Sequence, residues 1–216
     1  MYSRKFALET PDTPAFIMAS TGETVTHREY DERANRLAHL LRAAGLQRGD
    51  HYALFMENNN RFLEVCAAGE RAGLYYTPVN SYLKADELAY IVQNSESQIL
   101  ITSRSRREVA MEAAAMCPRL KLCLIVDGTG DDGNFLDYAT EVAKFPSTPI
   151  EDESLGVSMM YSSGTTGRPK GVMLSHLAIL QVSYNLTMEC GPLFTGEKVL
   201  LMQPMSHGAG FFVLPY

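Results

Sequence analysis

The stretch QILITSRSRREVAMEAAAMCPRLKLCLIV, residues 98–126, decides the fold. Its first six residues are typical of a strand, RREVAMEAAAM is typical of a helix that ends before Pro118, and LKLCLIV is typical of a second strand. This second strand is apolar on both sides of its pleat, as a parallel sheet covered by helices requires. Repeated β-α units of this kind predict a doubly wound, mostly parallel α/β fold.

The same alternation extends towards the N-terminus. Thr26 and Glu29 have the spacing of a capping box at the start of a helix that ends near Gly45. HYALFM then predicts a strand, RFLEVCAAGERAG a helix stopped by Gly73, and LYYTPV another strand. Pro78 places the last of these at a strand end or at a sheet edge, because proline donates no backbone hydrogen bond. KADELAYIVQNS predicts the next helix.

A proline- and acid-rich connector follows the first set of elements. FLDYATEVAKF predicts a short helix, and PSTPIEDES predicts a seam near residues 146–154. We therefore expect a first α/β subdomain over residues 1–150 and the truncated start of a second over residues 151–216. The second would contain the strands LGVSMMY, GVMLS and EKVLLMQPM, a helix capped by Ser175 through HLAILQVSYNLTM, and a loop and helix in SHGAGFFVLPY.

Composition excludes several classes of protein. The chain has 216 residues, 46% of them hydrophobic and 20% charged, with a net charge of −6 and no Lys/Arg block, so a nucleic-acid partner is disfavoured. The longest apolar runs, FFVLPY and LCLIV, are too short to span a membrane, which leaves peripheral membrane contact open. MYSRKFALETPDTP lacks the apolar region of a signal peptide.

Cysteine usage predicts a reducing compartment. The four cysteines form no CxxC pair and have no histidine at metal-binding spacing, so we interpret them as buried thiols rather than zinc ligands or disulfides. They are Cys66, Cys117, Cys123 and Cys190. Together with the missing signal peptide, they predict a cytoplasmic location.

The loop YSSGTTGRPK, residues 161–170, combines groups that bind anions. Gly164 and Gly167 allow successive backbone N–H groups to curl around a ligand, and Lys170 adds a mobile positive charge. The hydroxyl donors are Ser162, Ser163, Thr165 and Thr166. We expect a polyphosphate ligand, and a plain solvated hairpin loop is the structural alternative.

This loop does not follow the Walker A pattern. Counted from Gly164, Pro169 stands where the second glycine belongs and Gly171 stands where Ser or Thr belongs. The following GVML is extended rather than helical in character. The loop is therefore expected to link two strands, without a helix N-terminus behind the phosphates.

The longer segment YSSGTTGRPKGVMLSH closely resembles the phosphate-loop signature of the adenylate-forming superfamily. Members include acyl-CoA synthetases, aryl-CoA ligases, beetle luciferases and the adenylation domains of peptide synthetases. RANRLAHLLRAAGLQRGDHYALFMENN, AGLYYTPVNSYLKADELAYIVQNSESQILITS and LLMQPMSHGAG are similar to further acyl-CoA synthetase segments, so the resemblance runs from about residue 24 to the C-terminus. It implies the partial N-terminal domain of such an enzyme.

The resemblance implies a reaction and a set of residue roles. ATP and a carboxylic acid would give an acyl-adenylate and pyrophosphate, and coenzyme A would then displace AMP. His207 would lie near the acyl carboxylate and the α-phosphate, with Gly208 and Gly210 allowing close approach of the substrate. Ser162 would help to hold Mg²⁺. The β- and γ-phosphates would contact Ser163, Gly164, Thr165, Thr166, Gly167 and Lys170. By contrast, we expect structural or surface roles for His27, His39, His51 and His176.

The sequence departs from the superfamily in length. The later aromatic-Gly-x-Thr-Glu motif, the Thr-Gly-Asp motif, the hinge and the C-terminal lysine are all missing. We therefore expect a fragment with little activity alone, taken from a synthetase for a fatty rather than an aromatic acid. Two alternatives are a ligase that passes the acyl group to a carrier protein and a non-catalytic assembly module that associates with itself.

Overall fold

The computed structural model describes residues 4–162, 168–190 and 196–213. The strands within them are β1 (Pro14–Ile17), β2 (Thr24–Thr26), β3 (His51–Phe55), β4 (Tyr75–Val79), β5 (Ile99–Ser103), β6 (Leu122–Val126), β7 (Leu136–Asp137), β8 (Val157–Ser162) and β9 (Lys170–Met173). The α-helices are α1 (Arg4–Glu9), α2 (His27–Ala43), α3 (Phe62–Arg71), α4 (Ala85–Asn94), α5 (Arg107–Ala115), α6 (Tyr138–Val142) and α7 (His176–Cys190). Short 3₁₀ helices cover Arg104–Arg106 and Gly208–Val213.

Seven of the strands form one sheet in the order β7-β6-β5-β3-β4-β8-β9. Every neighbouring pair is parallel except β8 and β9, which are antiparallel. The remaining two strands, β1 and β2, form a separate antiparallel pair. This arrangement confirms the predicted α/β fold with a mostly parallel sheet.

Helices cover both faces of the sheet. Adjacent residues of one strand point to opposite faces, so each strand contributes to the core on both sides. Leu54 packs with Leu37 of α2 and Val65 of α3 in one hydrophobic cluster. Its neighbour Phe55 packs with Leu88 of α4 in the other cluster. All five side chains are fully buried. The central strands are therefore covered on both faces of the sheet, as the apolar pattern of the sequence predicts.

The start of α2 has the predicted capping box. The hydroxyl oxygen of Thr26 accepts a hydrogen bond from the Glu29 backbone N–H at 3.2 Å, and the Glu29 carboxylate accepts one from the Thr26 N–H at 2.9 Å. These bonds satisfy two backbone donors that a helix start otherwise leaves unpaired. Beyond the helix end, Gly45 has a φ of +88°, a conformation that favours glycine.

Pro78 does not mark a sheet edge, so that part of the prediction is wrong. Strand β4 lies between β3 and β8 in the interior of the sheet. Its pairing with β8, however, involves only Tyr75 and Tyr76. Pro78 therefore lies beyond the end of this ladder, where a missing backbone donor is tolerated, and the expectation of a strand end was correct.

The segment EKVLLMQPM, predicted as a strand, is irregular in the structure. Leu200 is 65% exposed and Met202 is 82% exposed. A strand requires a partner for its backbone groups, and within the described residues no strand pairs with positions 197–205. The apolar pattern alone therefore misled the prediction. The two-residue strand β7 and the β1–β2 pair were not predicted.

Strands β8 and β9 complete the seven-stranded sheet, whose other five strands lie within residues 51–137. The division into subdomains at residues 150 and 151 stays a prediction.

Ser175 caps α7 as expected, since its hydroxyl accepts a hydrogen bond from the Ala178 N–H at 3.2 Å. None of the α7 residues is buried, and its last residue, Cys190, is exposed, which contradicts the prediction of a buried thiol. Cys66, Cys117 and Cys123 are buried and free.

Among the described helices, none has both the length and the apolar character needed to cross a bilayer.

Candidate functional site

The predicted phosphate loop connects the antiparallel strands β8 and β9. Ser162, the last residue of β8, is the ladder partner of Lys170, the first residue of β9. This pairing confirms that the loop joins two strands, as its departure from the Walker A pattern indicated. The structure describes both ends of the loop but not residues 163–167. The phosphate contacts predicted for Ser163, Gly164, Thr165, Thr166 and Gly167 lie outside the described residues and stay predictions.

The two described loop ends pair a hydroxyl-bearing residue with a cationic residue across the strand ladder. Both Ser162 and Lys170 are exposed. Directly opposed residues on one face of an antiparallel pair have Cβ atoms about 4.5–5.5 Å apart, close enough for both side chains to reach one small anion. Ser158, Met160 and Ser162 alternate along β8 and therefore share one face of the sheet.

Gly171 gives the base of the hairpin its close packing. A Cβ atom at this position would lie 2.3 Å from the Met159 methyl carbon and 3.1 Å from the phenol ring of Tyr161, its ladder partner. The sequence pattern singled out Gly171 only as a mismatch to the Walker A motif. In the structure it leaves room for the Tyr161 ring.

The hairpin also contacts α4 on the other side of the sheet. Tyr161 donates a hydrogen bond from its hydroxyl to the Asn94 side-chain oxygen at 2.7 Å. Tyr90 donates one to the Pro169 carbonyl at 3.1 Å. Sequence reasoning missed both partners, because 67 and 79 residues separate the members of these pairs and no local pattern reports such contacts.

A groove lies on the face of the sheet that α3 covers. Its cavity volume is about 40 Å³, and the groove opens to solvent. Side chains of α3, β4 and β8 form its walls, and Ile179 of α7, Met205, His207 and Gly210 lie along it. The lining is mostly apolar, with four polar side chains among it, those of Glu70, Tyr76, Ser158 and His207.

Burial and hydrogen bonding set the pKa values and positions of the groove's ionisable side chains. The Tyr76 hydroxyl donates to the Glu70 carboxylate at 2.7 Å, and burial raises the pKa of Tyr76 well above its usual value. Burial also raises the pKa of the Cys66 thiol to about 12. Since the thiolate is the nucleophilic form of cysteine, burial disfavours Cys66 as a nucleophile at neutral pH.

His207 lies at the groove, in a turn that continues into the last 3₁₀ helix. Its backbone N–H donates to the Pro204 carbonyl at 3.1 Å, and its own carbonyl accepts from the Gly210 N–H at 3.0 Å. A Cβ atom on Gly210 would lie 2.4 Å from the Met205 carbonyl oxygen, so this turn requires glycine. Gly208 has open space around it, and its predicted role in substrate approach stays a prediction.

Asn58, which the sequence analysis did not single out, fixes the segment that leads to His207. Its side-chain amide donates to the Gln203 carbonyl at 2.9 Å, and its side-chain oxygen accepts from the Met205 N–H at 2.8 Å. Asn58 follows β3 in the chain. It thus connects the irregular segment after residue 196 to the carboxyl edge of the sheet, where open α/β sheets bind ligands.

The other histidines have structural surroundings, as expected. The rings of His27 and Phe6 stack at 5.2 Å, and those of His51 and Tyr75 at 4.6 Å. Burial lowers the pKa of His27 and of His51. His39 and His176 form hydrogen bonds to backbone carbonyls, at 2.9 Å and 2.7 Å respectively.

Within the described parts of the chain, no group of three or more His, Cys, Asp or Glu side chains is arranged to hold a metal ion. The predicted magnesium ligand Ser162 therefore has no described carboxylate cluster with which to share an ion, and its role as a ligand stays a prediction.

Comparison with known proteins defines the class to which this fold and loop belong. The profile of the AMP-binding enzyme family matches residues 3–216, and the chain is a member of that family. It is 33% identical over 171 residues to the 3-oxocholest-4-en-26-oate–CoA ligase of Rhodococcus rhodochrous, covering 76% of this chain and 31% of the relative. It is 31% identical over 184 residues to the fatty acid–[acyl-carrier-protein] ligase ScoC of Streptomyces coeruleorubidus, covering 85% and 34%.

Solved structures agree with this membership. A crystal structure described as a long-chain-fatty-acid CoA ligase from Rhodopseudomonas palustris CGA009 superposes with a TM-score of 0.85 at 25% identity. The match covers 99% of this chain and 53% of that one. The chain thus spans about a third of the length of the curated relatives named above and about half of the solved structure.

Proposed function

We propose that this chain supplies the phosphate-binding part of an enzyme that activates a carboxylic acid with ATP and then transfers the acyl group to coenzyme A. One observation carries the proposal: Ser162 and Lys170 face each other at the two ends of a loop rich in hydroxyl groups and glycines. Membership of the AMP-binding enzyme family and relatives named as acid–CoA ligases support it.

The proposed reaction has two displacements. A carboxylate oxygen of the acid attacks the α-phosphorus of ATP, the bond to the bridging oxygen breaks, and pyrophosphate leaves with its electron pair. The sulfur of coenzyme A then attacks the acyl carbon, a thioester forms, and AMP leaves. The thiol proton passes to solvent or to a basic group. Negative charge that gathers on the leaving pyrophosphate is the part of the first step that this chain would stabilise.

Lys170 is the residue proposed to meet that charge. Its ammonium group is a compact point charge suited to phosphate oxygens. We propose that the N–H and hydroxyl donors of Ser163, Gly164, Thr165, Thr166 and Gly167 complete the cradle, since successive loop amides bind anions well. The exposed position of Lys170 leaves it free to reach a bound polyphosphate.

Magnesium would add charge neutralisation when bound with ATP. The Ser162 hydroxyl suits such an ion, because Mg²⁺ prefers oxygen ligands and commonly shares them between one or two protein groups and substrate phosphates. Ser162 lies at the strand end that faces Lys170, which agrees with a ligand at the phosphates.

The groove beside His207 is proposed to receive the acyl part of the acid. Its walls include Phe62, Leu63, Met160 and Ile179, an aliphatic and aromatic surface that favours a fatty acyl chain. His207, which lines the groove, would orient the carboxylate towards the α-phosphate, as the family resemblance implies. Free thiols at Cys66, Cys117 and Cys123 support the proposed reducing, cytoplasmic setting.

A carrier protein is the second candidate acceptor for the acyl group. The Streptomyces relative is named a fatty acid–[acyl-carrier-protein] ligase, and its identity over this chain is nearly that of the CoA ligase. The acceptor does not change the adenylation step. The same loop chemistry therefore serves both candidates.

Self-association is a third candidate, favoured by the surface of α7. Its side chains Leu177, Tyr184 and Met188 are 76%, 66% and 81% exposed, and such apolar exposure marks an interaction surface. Light scattering over a range of protein concentrations tests it. A constant monomer mass removes the motivation for an assembly role.

Exchange of radiolabelled pyrophosphate into ATP tests the adenylation step directly. The assay would use the full-length enzyme in which this chain occurs and the 216-residue chain by itself, each with saturated acids of increasing length. We expect acid-dependent exchange from the full-length enzyme and little from the chain alone. A full-length enzyme that never forms acyl-AMP contradicts the proposed function, and rapid exchange by the 216-residue chain contradicts its being a partial site.

A further inference from the structure

We propose that α4 is the support that positions the phosphate-binding hairpin, with Tyr90 and Asn94 as positioning residues that act through Pro169 and Tyr161. The inference rests on the proposed function, because it assigns these residues a part in holding polyphosphate. Neither residue belongs to the loop or to the groove. Their contribution comes from fixing the two ends of the loop.

The exit side of the loop contacts Tyr90 in two ways. The Tyr90 hydroxyl donates a hydrogen bond to the Pro169 carbonyl at 3.1 Å. The Arg168 guanidinium carbon lies 5.6 Å from the centre of the Tyr90 ring, within the range of a cation–π contact. Pro169 fixes its own φ and restricts the residue before it to extended conformations. One aromatic side chain thus holds a segment that is already stiff.

The entry side of the loop contacts the same helix one turn further on. The Tyr161 hydroxyl donates to the Asn94 side-chain oxygen at 2.7 Å. Tyr90 and Asn94 are four residues apart, so they lie on one face of α4. Both strands of the hairpin are therefore held against one helix face, on either side of residues 162–168.

The helix is itself held rigidly. Leu88, Ile91 and Val92 are buried in the core cluster that covers this face of the sheet. At the N-terminus of α4, the Lys84 backbone N–H donates to the Glu87 carboxylate at 2.9 Å. A helix packed into the core in this way provides a reference point that a surface loop lacks.

A loop with fixed ends loses less conformational entropy when it closes on a ligand. A hydrogen bond between neutral groups typically changes an equilibrium by about 2- to 10-fold, so each contact with α4 is expected to improve polyphosphate affinity by about that factor. Burial raises the pKa of Tyr161 to about 12, which keeps its hydroxyl a donor at any physiological pH.

The test uses the 216-residue chain with three substitutions, Tyr90→Phe, Asn94→Ala and Tyr161→Phe. Tyr184→Phe, at a position 66% exposed on α7, is the matched control. Hydrogen exchange is measured for peptides covering residues 162–171, and affinity for inorganic tripolyphosphate is measured by calorimetry. Exchange in the central strands β3 and β5 verifies that each variant is folded.

We expect Tyr90→Phe to speed exchange in residues 162–171 and to weaken tripolyphosphate binding about 2- to 10-fold, with Tyr184→Phe at wild-type values. Unchanged exchange in the hairpin overturns the proposal. Faster exchange with unchanged affinity also overturns it, because the contacts would then be structural only. If the wild-type chain itself does not bind tripolyphosphate, the proposed function fails for this chain, and the exchange measurement alone decides whether α4 holds the hairpin.

Discussion

Ser162 and Lys170 are directly opposite residues in the β8–β9 ladder, although seven residues separate them in the chain. A residue with a hydroxyl and a residue with an ammonium group thereby occupy opposed backbone positions where the loop leaves and rejoins the sheet. Since the strand pair sets this juxtaposition, it does not depend on the conformation of the loop between them. The proposed phosphate site begins from a backbone pairing that the two strands fix.

Removal of the Lys170 charge should weaken polyphosphate binding. We expect Lys170→Ala to lower the affinity for ATP about 10- to 100-fold, because a hydrogen bond to a charged group contributes about 1.5–3 kcal/mol. Calorimetry on the 216-residue chain measures the change. Lys121→Ala is the matched control, since Lys121 is exposed and precedes β6 at the opposite, amino edge of the sheet. Equal losses in the two variants would point to general charge attraction and not to a site.

Gly156 is a position where a side chain cannot be accommodated. A Cβ atom there would lie 2.1 Å from the Gly69 carbonyl oxygen and 2.5 Å from that of Leu74. Because both obstacles are backbone atoms, Gly156→Ala should lower the free energy of unfolding by about 1–3 kcal/mol or more. Urea denaturation measures it, with Gly208→Ala, which meets no atom within 4 Å, as the control. Equal stability of the two variants would show that β8 does not approach α3 this closely.

His51 should make stability depend on pH. Burial lowers the pKa of its imidazole below the usual 6.5, against the opposing effect of Glu96 and Asp50. The folded state therefore favours the neutral ring, and this contribution is complete above pH 6.5 and is lost as pH falls through the folded-state pKa. We expect urea midpoints to decline from pH 8 to pH 5, and to decline less in His51→Gln. His27 has the same sign, so the two curves should not become flat. Parallel curves for the wild type and His51→Gln would exclude the effect.

The buried carboxylate of Glu64 should depend on the hydroxyl of Tyr138. Glu64 is 1% exposed and accepts a hydrogen bond from Tyr138 at 2.9 Å, with the Arg61 guanidinium 3.3 Å away. Burial raises the pKa of Glu64, so this group favours the fold at low pH and the advantage is lost as pH rises through its folded-state pKa. Tyr138→Phe removes a donor to the ionised form and should cost about 1–3 kcal/mol at pH 8.

The pH dependence of that loss provides its own check. Only the ionised Glu64 needs the donor strongly, so the loss should be smaller at pH 5 than at pH 8. Tyr82→Phe, at a side chain 75% exposed, is the control and should change stability by less than about 0.5 kcal/mol. A pH-independent loss would mean that the Tyr138 hydroxyl contributes by packing and not through Glu64.

Local signals predicted the elements that depend on local physics. The cap formed by Thr26 and Glu29 and the apolar strand β6 follow from neighbouring residues, so the parallel sheet was predictable from sequence. The contacts of Tyr90 with Pro169 and of Tyr161 with Asn94 were not, because they depend on which strands become neighbours. The error in residues 197–205 has the same origin: an apolar, extended pattern becomes a strand only where another strand can pair with it.

The most direct measurement of the central claim is a nuclear magnetic resonance titration of the isotope-labelled 216-residue chain with ATP and Mg²⁺. If the hairpin holds the phosphates, the largest amide shifts will lie in residues 162–171, and Lys170→Ala will reduce them. Shifts that lie elsewhere on the sheet, with residues 162–171 unmoved at saturation, would contradict the account.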